Sequence, residues 1–270
     1  MKQVFVVTGA GSGMGYEIAK MFGKQGTVVL CGRTLSKIES AVEKLKALGI
    51  DAHGISCDVT SKDSVAALAK FASDLGEVRV VVNNAGVSPE QGGSGKAVYQ
   101  INLGGVVNVT DAFYPLMGEG SILINIASMA GYMMPLDPAL EELFAMEDID
   151  AMIDKALSAY DEMQAYVISK VFVIDYTKKL CLKFAQKKAR VVSVSPGTFD
   201  TPLLESSGPV AQQMVQATPV GRVGDPVEIA YLVEFLASDK AGFITGTDIL
   251  IDGGCMNVVA QSMKQQMQQQ

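Results

Sequence analysis

The chain has 270 residues, of which 49% are hydrophobic and 19% charged, a composition typical of a folded globular protein rather than a disordered one. Its net charge of −7 argues against a nucleic-acid surface, because phosphate contacts need clustered lysine and arginine. No apolar run reaches the length of a membrane span, and the start does not resemble an export signal. We therefore expect a cytoplasmic protein that binds neither nucleic acid nor membrane.

Cysteine and histidine usage gives no sign of a metal site. The four cysteines are scattered without CxxC spacing, and the single histidine, His53, has no second histidine with which to share a metal. We expect free thiols and no bound metal.

Apolar runs alternate with helical stretches from the N-terminus onward. Strands are predicted at 4–7, 27–30, 78–82, 121–126, 190–194 and 248–251. Helices are predicted at 14–24, 35–48, 62–75, 98–117, 165–187 and 226–237. Strands this apolar are buried on both faces, and their alternation with helices is typical of a parallel sheet covered by helices. The expected fold class is α/β, a Rossmann-type doubly wound parallel sheet in a single domain over residues 1–257.

An acidic segment, 132–163, interrupts this pattern. Residues 132–165 contain nine acidic residues and one base, Lys155. Asp137 followed by Pro138 is typical of a helix start, and apolar residues at helical spacing after Asp137 and after Asp148 predict two short amphipathic helices. We interpret the segment as a small helical insertion. At the other end, residues 258–270 are glutamine-rich, lack a core pattern and are predicted to be a mobile tail.

A glycine-rich turn follows the first predicted strand directly. Residues 8–15 read Thr-Gly-Ala-Gly-Ser-Gly-Met-Gly. Glycines at a strand-to-helix junction allow a tight turn and let phosphates approach the amides of the helix start, although they can also simply make a tight connection. The motif predicts a dinucleotide site formed by Gly9, Ser12, Gly13, Met14 and Gly15.

The end of the second strand indicates which dinucleotide binds. An acidic residue there would bind the ribose 2′-hydroxyl of NAD, whereas this chain has Gly32 followed by Arg33 and Thr34. A guanidinium suits phosphate oxygens, so the pattern favours NADP(H), with Arg33 and Thr34 at the cofactor. NAD(H) is the alternative cofactor, since Ser12 is neutral where many NADP enzymes have a second base. Alternatively, Arg33 has no ligand and is only an exposed residue at the start of the next helix.

The most specific feature is Tyr166-Val167-Ile168-Ser169-Lys170, preceded by Ser128 and Asn102. On a helix, Tyr166 and Lys170 lie on one face, one turn apart. An adjacent ammonium and a cationic nicotinamide both favour the phenolate, so Tyr166 can donate or accept a proton. A YxxxK motif is weak by itself and becomes strong at this place in a Rossmann-type chain.

Taken in order, these motifs resemble the short-chain dehydrogenase/reductase family over residues 1 to about 257. Further matching motifs are Cys57-Asp58-Val59, Asn83-Asn84-Ala85-Gly86, Ile-Ala-Ser-Met-Ala-Gly around Ser128, Ser195-Pro196-Gly197 and Ile251-Asp252-Gly253-Gly254. The resemblance implies four catalytic roles: Ser128 hydrogen-bonds the substrate oxygen, Tyr166 is the acid/base, Lys170 holds the nicotinamide ribose and assists Tyr166, and Asn102 helps hold a water in a proton relay. It also implies further cofactor contacts: Asp58 and Val59 at the adenine, Asn84, Ala85 and Gly86 at the ribose, and Phe199 and Thr201 at the carboxamide. Tyr166 and Lys170 are themselves also expected to contact the cofactor.

Two departures from the family pattern point to a subgroup. Tyr166 lies 38 residues after Ser128, many more than in most members, and the stretch from Gly86 to Asn102 is short, with loop-like glycines at 92, 93 and 95. Both features are similar to bacterial 3α-hydroxysteroid dehydrogenase/carbonyl reductases, although those have an NAD-type pattern at the second strand. The resemblance implies an NADP(H)-dependent oxidoreductase that interconverts a secondary alcohol and a ketone, with a steroid or bile acid as the leading substrate. The alternatives are smaller ketones, 3-oxoacyl thioesters, or a non-catalytic NADP(H)-sensing protein.

The insertion also affects two further predictions, which concern the residues that line the substrate site and the oligomeric state. Methionines 129, 133, 134, 146 and 152 cluster near it and either form a flexible apolar wall or pack the added helices. Family members usually form tetramers, in which the helix with Tyr166 builds one of two symmetric interfaces. Added bulk and like charge just before that helix predict a homodimer through the other interface, near the last strand and the helix after Pro226, with a normal tetramer as the alternative. The predicted packing of the insertion onto its own subunit uses Leu140, Phe144, Ile153 and Leu157.

Overall fold

The computed structural model describes residues 2–89, 94–201, 204 and 215–268. Within these residues seven strands form one parallel sheet. The strands are β1 Gln3–Thr8, β2 Thr27–Gly32, β3 Ala52–Ser56, β4 Glu77–Asn83, β5 Ile122–Ile126, β6 Arg190–Pro196 and β7 Thr247–Ile251. Their order across the sheet is β3-β2-β1-β4-β5-β6-β7, which confirms the predicted doubly wound α/β fold.

The central strands are buried on both faces, as their apolar sequences predict. All five residues of β5 are buried, and Val6 of β1 pairs in register with Val29 of β2 and Val81 of β4. The order of strands reverses between β1 and β4. At such a point the two neighbouring loops leave the sheet in opposite directions and open a crevice at the carboxyl ends of the strands.

Helices cover both faces of the sheet. They are α1 Gly13–Phe22, α2 Leu35–Ala47, α3 Lys62–Leu75, α4 Gly95–Tyr99, α5 Gly105–Phe113, α6 Pro138–Phe144, α7 Ile149–Ala159, α8 Ala165–Lys179, α9 Cys181–Ala185, α10 Pro226–Ala237 and α11 Cys255–Gln268. One apolar core lies between the sheet and α1, α2 and α10, and a second lies under α3, α5 and α9. The sheet is therefore the middle of three layers.

Some element boundaries differ from the predicted ones. The prediction omits β3, an edge strand with Gly54 at its centre in which only Ala52 is buried, so it has no continuous apolar run. The predicted helix 98–117 is divided by a π-helical turn at Gln100–Gly104. The predicted helix 165–187 is divided at Leu180 between α8 and α9.

The C-terminal segment is helical as far as Gln268, in α11. Asp252 accepts hydrogen bonds from the N–H groups of Gly254 (2.9 Å) and Met256 (2.7 Å), which starts this helix. Mobility of residues 258–270 stays a prediction, and residues 269–270 lie outside the described residues, as do the glycines at 92 and 93.

The insertion forms the two predicted helices, α6 and α7. The Asp137 carboxylate accepts from the N–H of Leu140 at 2.9 Å, and the Asp148 carboxylate accepts from the N–H of Ala151 at 3.1 Å, so each acid caps its helix. The buried residues of α6 and α7 form a third apolar core with α8. In this core the rings of Phe144 and Phe172 pack edge to face, with their centres 5.2 Å apart. The described residues confirm packing of the insertion onto its own subunit: Leu140, Phe144 and Ile153 are buried and Leu157 is partly buried.

None of the described helices is long and apolar enough to cross a membrane. The four cysteines are free thiols, and the described residues contain no group of three or more Cys, His, Asp and Glu placed to bind a metal ion.

Candidate active site

The predicted site residues meet at the carboxyl edge of the sheet. Six of them follow the ends of six different strands: Gly9 after β1, Arg33 after β2, Asp58 after β3, Asn84 after β4, Ser128 after β5 and Phe199 after β6. Because all strands are parallel, these ends lie on one side of the molecule, where ligands bind in open α/β sheets.

Thr8, which the sequence interpretation did not assign, ties the two loops of the central crevice together. Its hydroxyl oxygen accepts from the backbone N–H of Asn84 at 3.0 Å and of Ala85 at 2.9 Å. In return, the Asn84 side-chain amide donates to the carbonyl oxygens of Thr8 (3.0 Å) and Gly9 (3.2 Å). The signal was present in the sequence, since the threonine stands directly before Gly9 in the glycine-rich motif.

The glycines of the turn are required by conformation and by space. Gly9 and Gly13 have φ angles of +64° and +56°, in the left-handed region that glycine adopts readily. A Cβ on Gly9 would lie 2.9 Å from the Ala85 Cα, and one on Gly15 would lie 2.5 Å from the Asn84 amide nitrogen. Ser12, at the start of α1, makes no side-chain capping bond, which leaves the first amides of the helix for a ligand. This arrangement fits the pyrophosphate of a dinucleotide.

Lys170 is buried beside Tyr166, one helical turn away on α8. Only 6% of its surface is exposed, and its ammonium donates to the carbonyl oxygen of Ile126 at 3.1 Å. The nitrogen lies 5.6 Å from the centre of the Tyr166 ring. Burial lowers the pKa of Lys170 to about 8, because the apolar surroundings disfavour its charged form. The bond to Ile126 also ties the helix to the strand that leads to Ser128.

Asn102 lies in the π-helical turn and fastens the segment after β4. Its side-chain oxygen accepts from the Val87 N–H at 2.9 Å, and its amide donates to the Val87 carbonyl at 2.9 Å and to the Ser169 hydroxyl at 3.3 Å. Ser169 in turn donates to the Tyr166 carbonyl at 2.7 Å. π-turns are frequent at functional sites, and this one brings the predicted relay residue next to the helix of Tyr166.

The lack of a side chain at Gly86 leaves space between the side chains of Asn102 and Lys170. A Cβ there would lie 3.3 Å from the Asn102 side-chain oxygen and 3.7 Å from the Lys170 nitrogen. The opening beside the ammonium fits the ribose predicted at this position.

Ser128 starts a short 3₁₀ turn, Met129–Tyr132, that lies against α8. Its hydroxyl oxygen accepts from the Ala130 N–H at 3.1 Å, so the hydroxyl proton is left for another acceptor. Gly131 allows close packing, since a Cβ there would lie 2.6 Å from Ile174 and 3.0 Å from the Lys170 carbonyl oxygen. The turn is thus held next to Tyr166 and Lys170 in spite of the intervening insertion.

The predicted adenine side is formed by residues beyond β2 and β3. The Asp58 carboxylate accepts from the N–H (3.0 Å) and hydroxyl (2.8 Å) of Thr60, and the carbonyl of buried Val59 accepts from the Asn108 amide at 2.9 Å. Arg33 and Thr34 are exposed, and the guanidinium of Arg33 makes no ion pair with a described residue.

The predicted carboxamide side is packed against the end of β7. Phe199 and Thr201 are both buried, and the Thr201 hydroxyl donates to the Phe199 carbonyl at 3.4 Å. A Cβ on Gly197 would lie 2.6 Å from the Asp252 Cα, so the loop after β6 rests on the turn after β7.

This geometry agrees with comparisons to known proteins. The family model described as short chain dehydrogenase matches residues 3–137, and one described as enoyl-(acyl carrier protein) reductase matches 149–256. The chain is also 31% identical over 265 residues to a short-chain dehydrogenase/reductase of Alternaria brassicicola, an alignment that covers 94% of this chain and 96% of that one. The chain belongs to the short-chain dehydrogenase/reductase family.

Members of this family with narrower names are also similar to the chain. A cyclohexanol dehydrogenase of an Acinetobacter species is 30% identical, with 93% of this chain and 94% of that one covered. The solved structure of a 7α-hydroxysteroid dehydrogenase, complexed with NADH and 7-oxo glycochenodeoxycholic acid, is 29% identical with a TM-score of 0.76, covering 94% of this chain and 93% of that one. The solved structure of an actinorhodin polyketide ketoreductase with NADPH is 27% identical with a TM-score of 0.75, covering 94% of this chain and 97% of that one. This short-chain dehydrogenase/reductase is accordingly an NAD(P)-dependent oxidoreductase.

Proposed function

We propose that this short-chain dehydrogenase/reductase uses NADP(H) to interconvert a secondary alcohol and a ketone, with a hydroxysteroid, either a steroid or a bile acid, as its substrate. The chemistry rests on one observation above all, the buried ammonium of Lys170, held 5.6 Å from the ring of Tyr166 by the Ile126 carbonyl. A positive charge at this place stabilises the phenolate that proton transfer leaves behind.

In this proposal four side chains act on the substrate oxygen and its proton. Tyr166 holds the proton at its phenolic oxygen and gives it to the carbonyl oxygen in reduction, or takes it back in oxidation. Ser128 donates its free hydroxyl proton to the same oxygen. Lys170 binds the nicotinamide ribose and stabilises the phenolate, and Asn102 holds the 86–88 segment and orders the water that returns a proton. The nicotinamide ring supplies or accepts the hydride.

The cofactor is held by the loops at the carboxyl edge. The amides at Gly13, Met14 and Gly15 bind the pyrophosphate, with Gly9 and Ser12 in the preceding turn. Arg33 and Thr34 lie beside the 2′-phosphate, an assignment supported by the exposed guanidinium and by Gly32 at the end of β2. The remaining contacts are Asp58 and Val59 at the adenine, Asn84, Ala85 and Gly86 at the ribose, and Phe199 and Thr201 at the carboxamide.

The insertion supports a bulky, apolar substrate. Its helices pack against α4 and α8, beside the helix that contains Tyr166. Of the clustered methionines, Met152 is buried in the core, which favours simple packing there, whereas Met134 and Met146 are only partly buried at its margin. Flexible side chains at such a margin suit a flat ligand. The similar 7α-hydroxysteroid dehydrogenase holds a bile-acid ketone.

Smaller ketones are the second candidate substrate class, favoured by the 30% identity to a cyclohexanol dehydrogenase. 3-Oxoacyl thioesters belong to the same alternative. A non-catalytic, NADP(H)-sensing role is the third possibility; it fits less well with a chain that has both Tyr166 and Lys170.

For assembly we propose a homodimer through α10 and β7. Within the described residues β7 is an edge strand, and three aromatic side chains near it are exposed: Tyr231, Phe235 and Phe243. Exposed aromatic groups beside a free strand edge are typical of a protein interface. The alternative face, along α8, adjoins the acidic insertion, where two copies would repel.

The decisive experiment measures NADPH oxidation against a panel of steroid ketones, bile-acid ketones, cyclohexanone and a 3-oxoacyl thioester. We expect kcat/KM for one of the steroid or bile-acid ketones to exceed that for cyclohexanone by about tenfold or more, since added apolar contacts stabilise the transition state. Equal or better turnover of cyclohexanone or the thioester would favour the second candidate. Tight NADPH binding with no turnover of any ketone would favour the sensing role.

A further inference from the structure

The short turn that begins at Ser128 is fixed to the sheet at its start. The N–H of Ala127 donates to the carbonyl oxygen of Val194 in β6 at 2.8 Å, so the chain stays attached to the sheet up to the serine. Within the turn, the N–H of Gly131 donates to the Ser128 carbonyl oxygen at 3.0 Å. The direction of the Ser128 hydroxyl therefore depends on how the rest of the turn, Met129–Tyr132, is held.

The side chain of Tyr132 fixes the other end of this turn. Its hydroxyl donates to the carboxylate of Asp248 in β7 at 2.7 Å, a bond between residues 116 positions apart. Residues 135–137, which come soon after it, are exposed and lead into α6 of the insertion. The Tyr132 side chain therefore ties the turn to the sheet just before the chain leaves for the insertion.

Asp248 stands at the end of a row of polar side chains that crosses four strands. The members of this row, which pair with one another in the register of the sheet, are Asn83, Asn125, Ser193 and Asp248. The Asn125 amide donates to the Thr177 hydroxyl on α8 at 2.9 Å, and the next residue, Ile126, holds the ammonium of Lys170. The same level of the sheet therefore supports both Lys170 and, through Asp248, the end of the Ser128 turn.

Asp248 is a costly residue for its strand. Three apolar residues follow it in β7, and one oxygen of its carboxylate is buried without a hydrogen-bond partner among the described residues. The buried hydroxyl of Ser193 beside it also has none there. A buried polar atom without a partner costs free energy, which an apolar residue at position 248 would avoid. The carboxylate therefore indicates a role other than packing.

The bond between Tyr132 and Asp248 persists at neutral pH. Burial, together with the bond to Asp248, raises the pKa of Tyr132 well above its ordinary value. The hydroxyl therefore keeps its proton and remains the donor.

We propose that Asp248 and Tyr132 are positioning residues that set the direction of the Ser128 hydroxyl toward the substrate oxygen. The inference rests on the proposed role of Ser128. The two residues act by fixing the turn and not by contact with the reacting atoms. Displacement of a hydrogen-bond donor by ~1 Å can lower a rate by about 10²-fold, so loss of the bond should affect the chemical step more than cofactor binding.

The test compares substitutions at the two ends of the bond, with the ketone that the wild type reduces fastest. Tyr132→Phe and Asp248→Leu each remove the bond, and we expect each to lower kcat by about tenfold while KM and the dissociation constant of NADPH stay within about twofold. Asp248→Asn keeps an oxygen that accepts from Tyr132 and should retain about half of the wild-type kcat or more. The double variant should be no slower than the slower single variant, because both changes remove one interaction.

Unfolding in urea separates positioning from a merely structural role. Asp248→Leu should lower kcat although its urea midpoint equals or exceeds that of the wild type, since it removes the buried oxygen and leaves the Tyr132 hydroxyl, on a side chain that is 44% exposed, to water. Tyr114→Phe is the matched control: it removes a hydroxyl that donates to the Lys183 carbonyl at 2.9 Å and should keep the wild-type kcat. Losses of kcat that parallel losses of stability in both Asp248→Leu and Tyr132→Phe would overturn the inference.

Ser128→Ala separates this inference from the proposal on which it rests. A wild type that reduces no ketone, or a Ser128→Ala variant as fast as the wild type, would overturn the role of Ser128 and the inference with it. A slow Ser128→Ala variant beside a Tyr132→Phe variant of unchanged kcat would overturn the positioning role alone. In the Ser128→Ala background Tyr132→Phe should cause no further loss, and another tenfold loss there would show that Tyr132 does not act through Ser128.

Discussion

The ammonium of Lys170 lies 5.6 Å from the ring centre of Tyr166 while it donates to the carbonyl oxygen of Ile126 at 3.1 Å. One cation therefore links the predicted acid/base to the end of β5, two residues before Ser128. The link explains how α8 and the turn after β5 keep a fixed relative position although the acidic insertion separates them in sequence. It also means that a change at Lys170 should affect stability and turnover in different ways.

Substitution of Tyr166 by phenylalanine tests the proton-transfer role. Turnover should fall by about 10²-fold or more, since only the hydroxyl is removed, while the dissociation constant of the cofactor changes little. Steady-state kinetics and cofactor titration measure the two effects. Tyr176→Phe on the same helix, whose ring stacks on Phe172, is the control and should retain wild-type turnover. A Tyr166→Phe enzyme with more than about a tenth of the wild-type rate would exclude the role.

Substitution of Lys170 by methionine should abolish turnover and change the free energy of unfolding by an amount that depends on pH. Burial lowers the pKa of Lys170 from 10.5 to about 8, so the unfolded chain holds more protons than the folded one between these values. Lys170 therefore weakens the fold below pH 8, and this penalty disappears as the pH rises through 8 to 10.5. At pH 7 we expect Lys170→Met to lack turnover and to be as stable as wild type or more stable, by ~1–3 kcal/mol.

Urea unfolding of both proteins at several pH values checks the prediction for Lys170. The stability difference between Lys170→Met and wild type should shrink between pH 8 and 10.5. A difference that stays constant over this range would show that the ammonium is not the cause.

Arg33→Asp should reverse the cofactor preference. The substitution removes a cation from the 2′-phosphate and offers a carboxylate to the ribose diol. The ratio of kcat/KM for NADPH to that for NADH should fall below one. Lys46→Asp, an equal change of charge at the exposed far end of α2, should leave the ratio unchanged. If the wild type already prefers NAD at equal concentration, the interpretation of Gly32 and Arg33 is wrong.

Thr8→Val should loosen the central crevice. The substitution keeps the shape but leaves the N–H groups of Asn84 and Ala85 without the hydroxyl that now accepts from both. We expect the free energy of unfolding to fall by ~2 kcal/mol and cofactor affinity to fall with it. Thr110→Val is a suitable control, because that buried hydroxyl donates to the Val106 carbonyl within its own helix. Similar losses in both variants would argue against a special role for Thr8.

Light scattering at micromolar concentration tests the proposed homodimer. Phe235→Glu on α10 should give monomers, because it places a charge in the buried interface. Leu182→Glu changes a residue on α9 that is 80% exposed, and the protein should remain a dimer. A stable wild-type tetramer would contradict the proposal.

The cause assigned to the dimer can be tested without removing the insertion. Deletion of α6 and α7 would uncover the apolar core that Leu140 and Phe144 now fill, so it would confound assembly with misfolding. Neutralising exposed acidic residues avoids misfolding, because Glu141→Gln, Asp150→Asn and Asp154→Asn together keep the shape of the insertion. Tetramers in this triple variant would support repulsion as the cause, and persistent dimers would indicate that bulk alone suffices.

The alternation of strands and helices, apart from β3, and the motifs that contain the candidate site residues, apart from the role of Thr8, follow from the sequence alone. Buried parallel strands need continuous apolar runs, and helix caps need particular side chains, so 78–82 and Asp137 could be recognised locally. The motifs around Gly9, Ser128 and Tyr166 could be recognised for the same reason, since each lies within a few consecutive residues.

Other features depend on contacts between distant segments, and only the tertiary structure decided them. The largely accessible edge strand β3 needs pairing with β2, and the bond of Thr8 to the Asn84 segment joins residues more than seventy positions apart. The Lys170 ammonium reaches the Ile126 carbonyl only because α8 packs against the end of β5. Local patterns reflect burial and backbone preference, whereas the surroundings of a charge depend on which loops the sheet order brings together at its carboxyl edge.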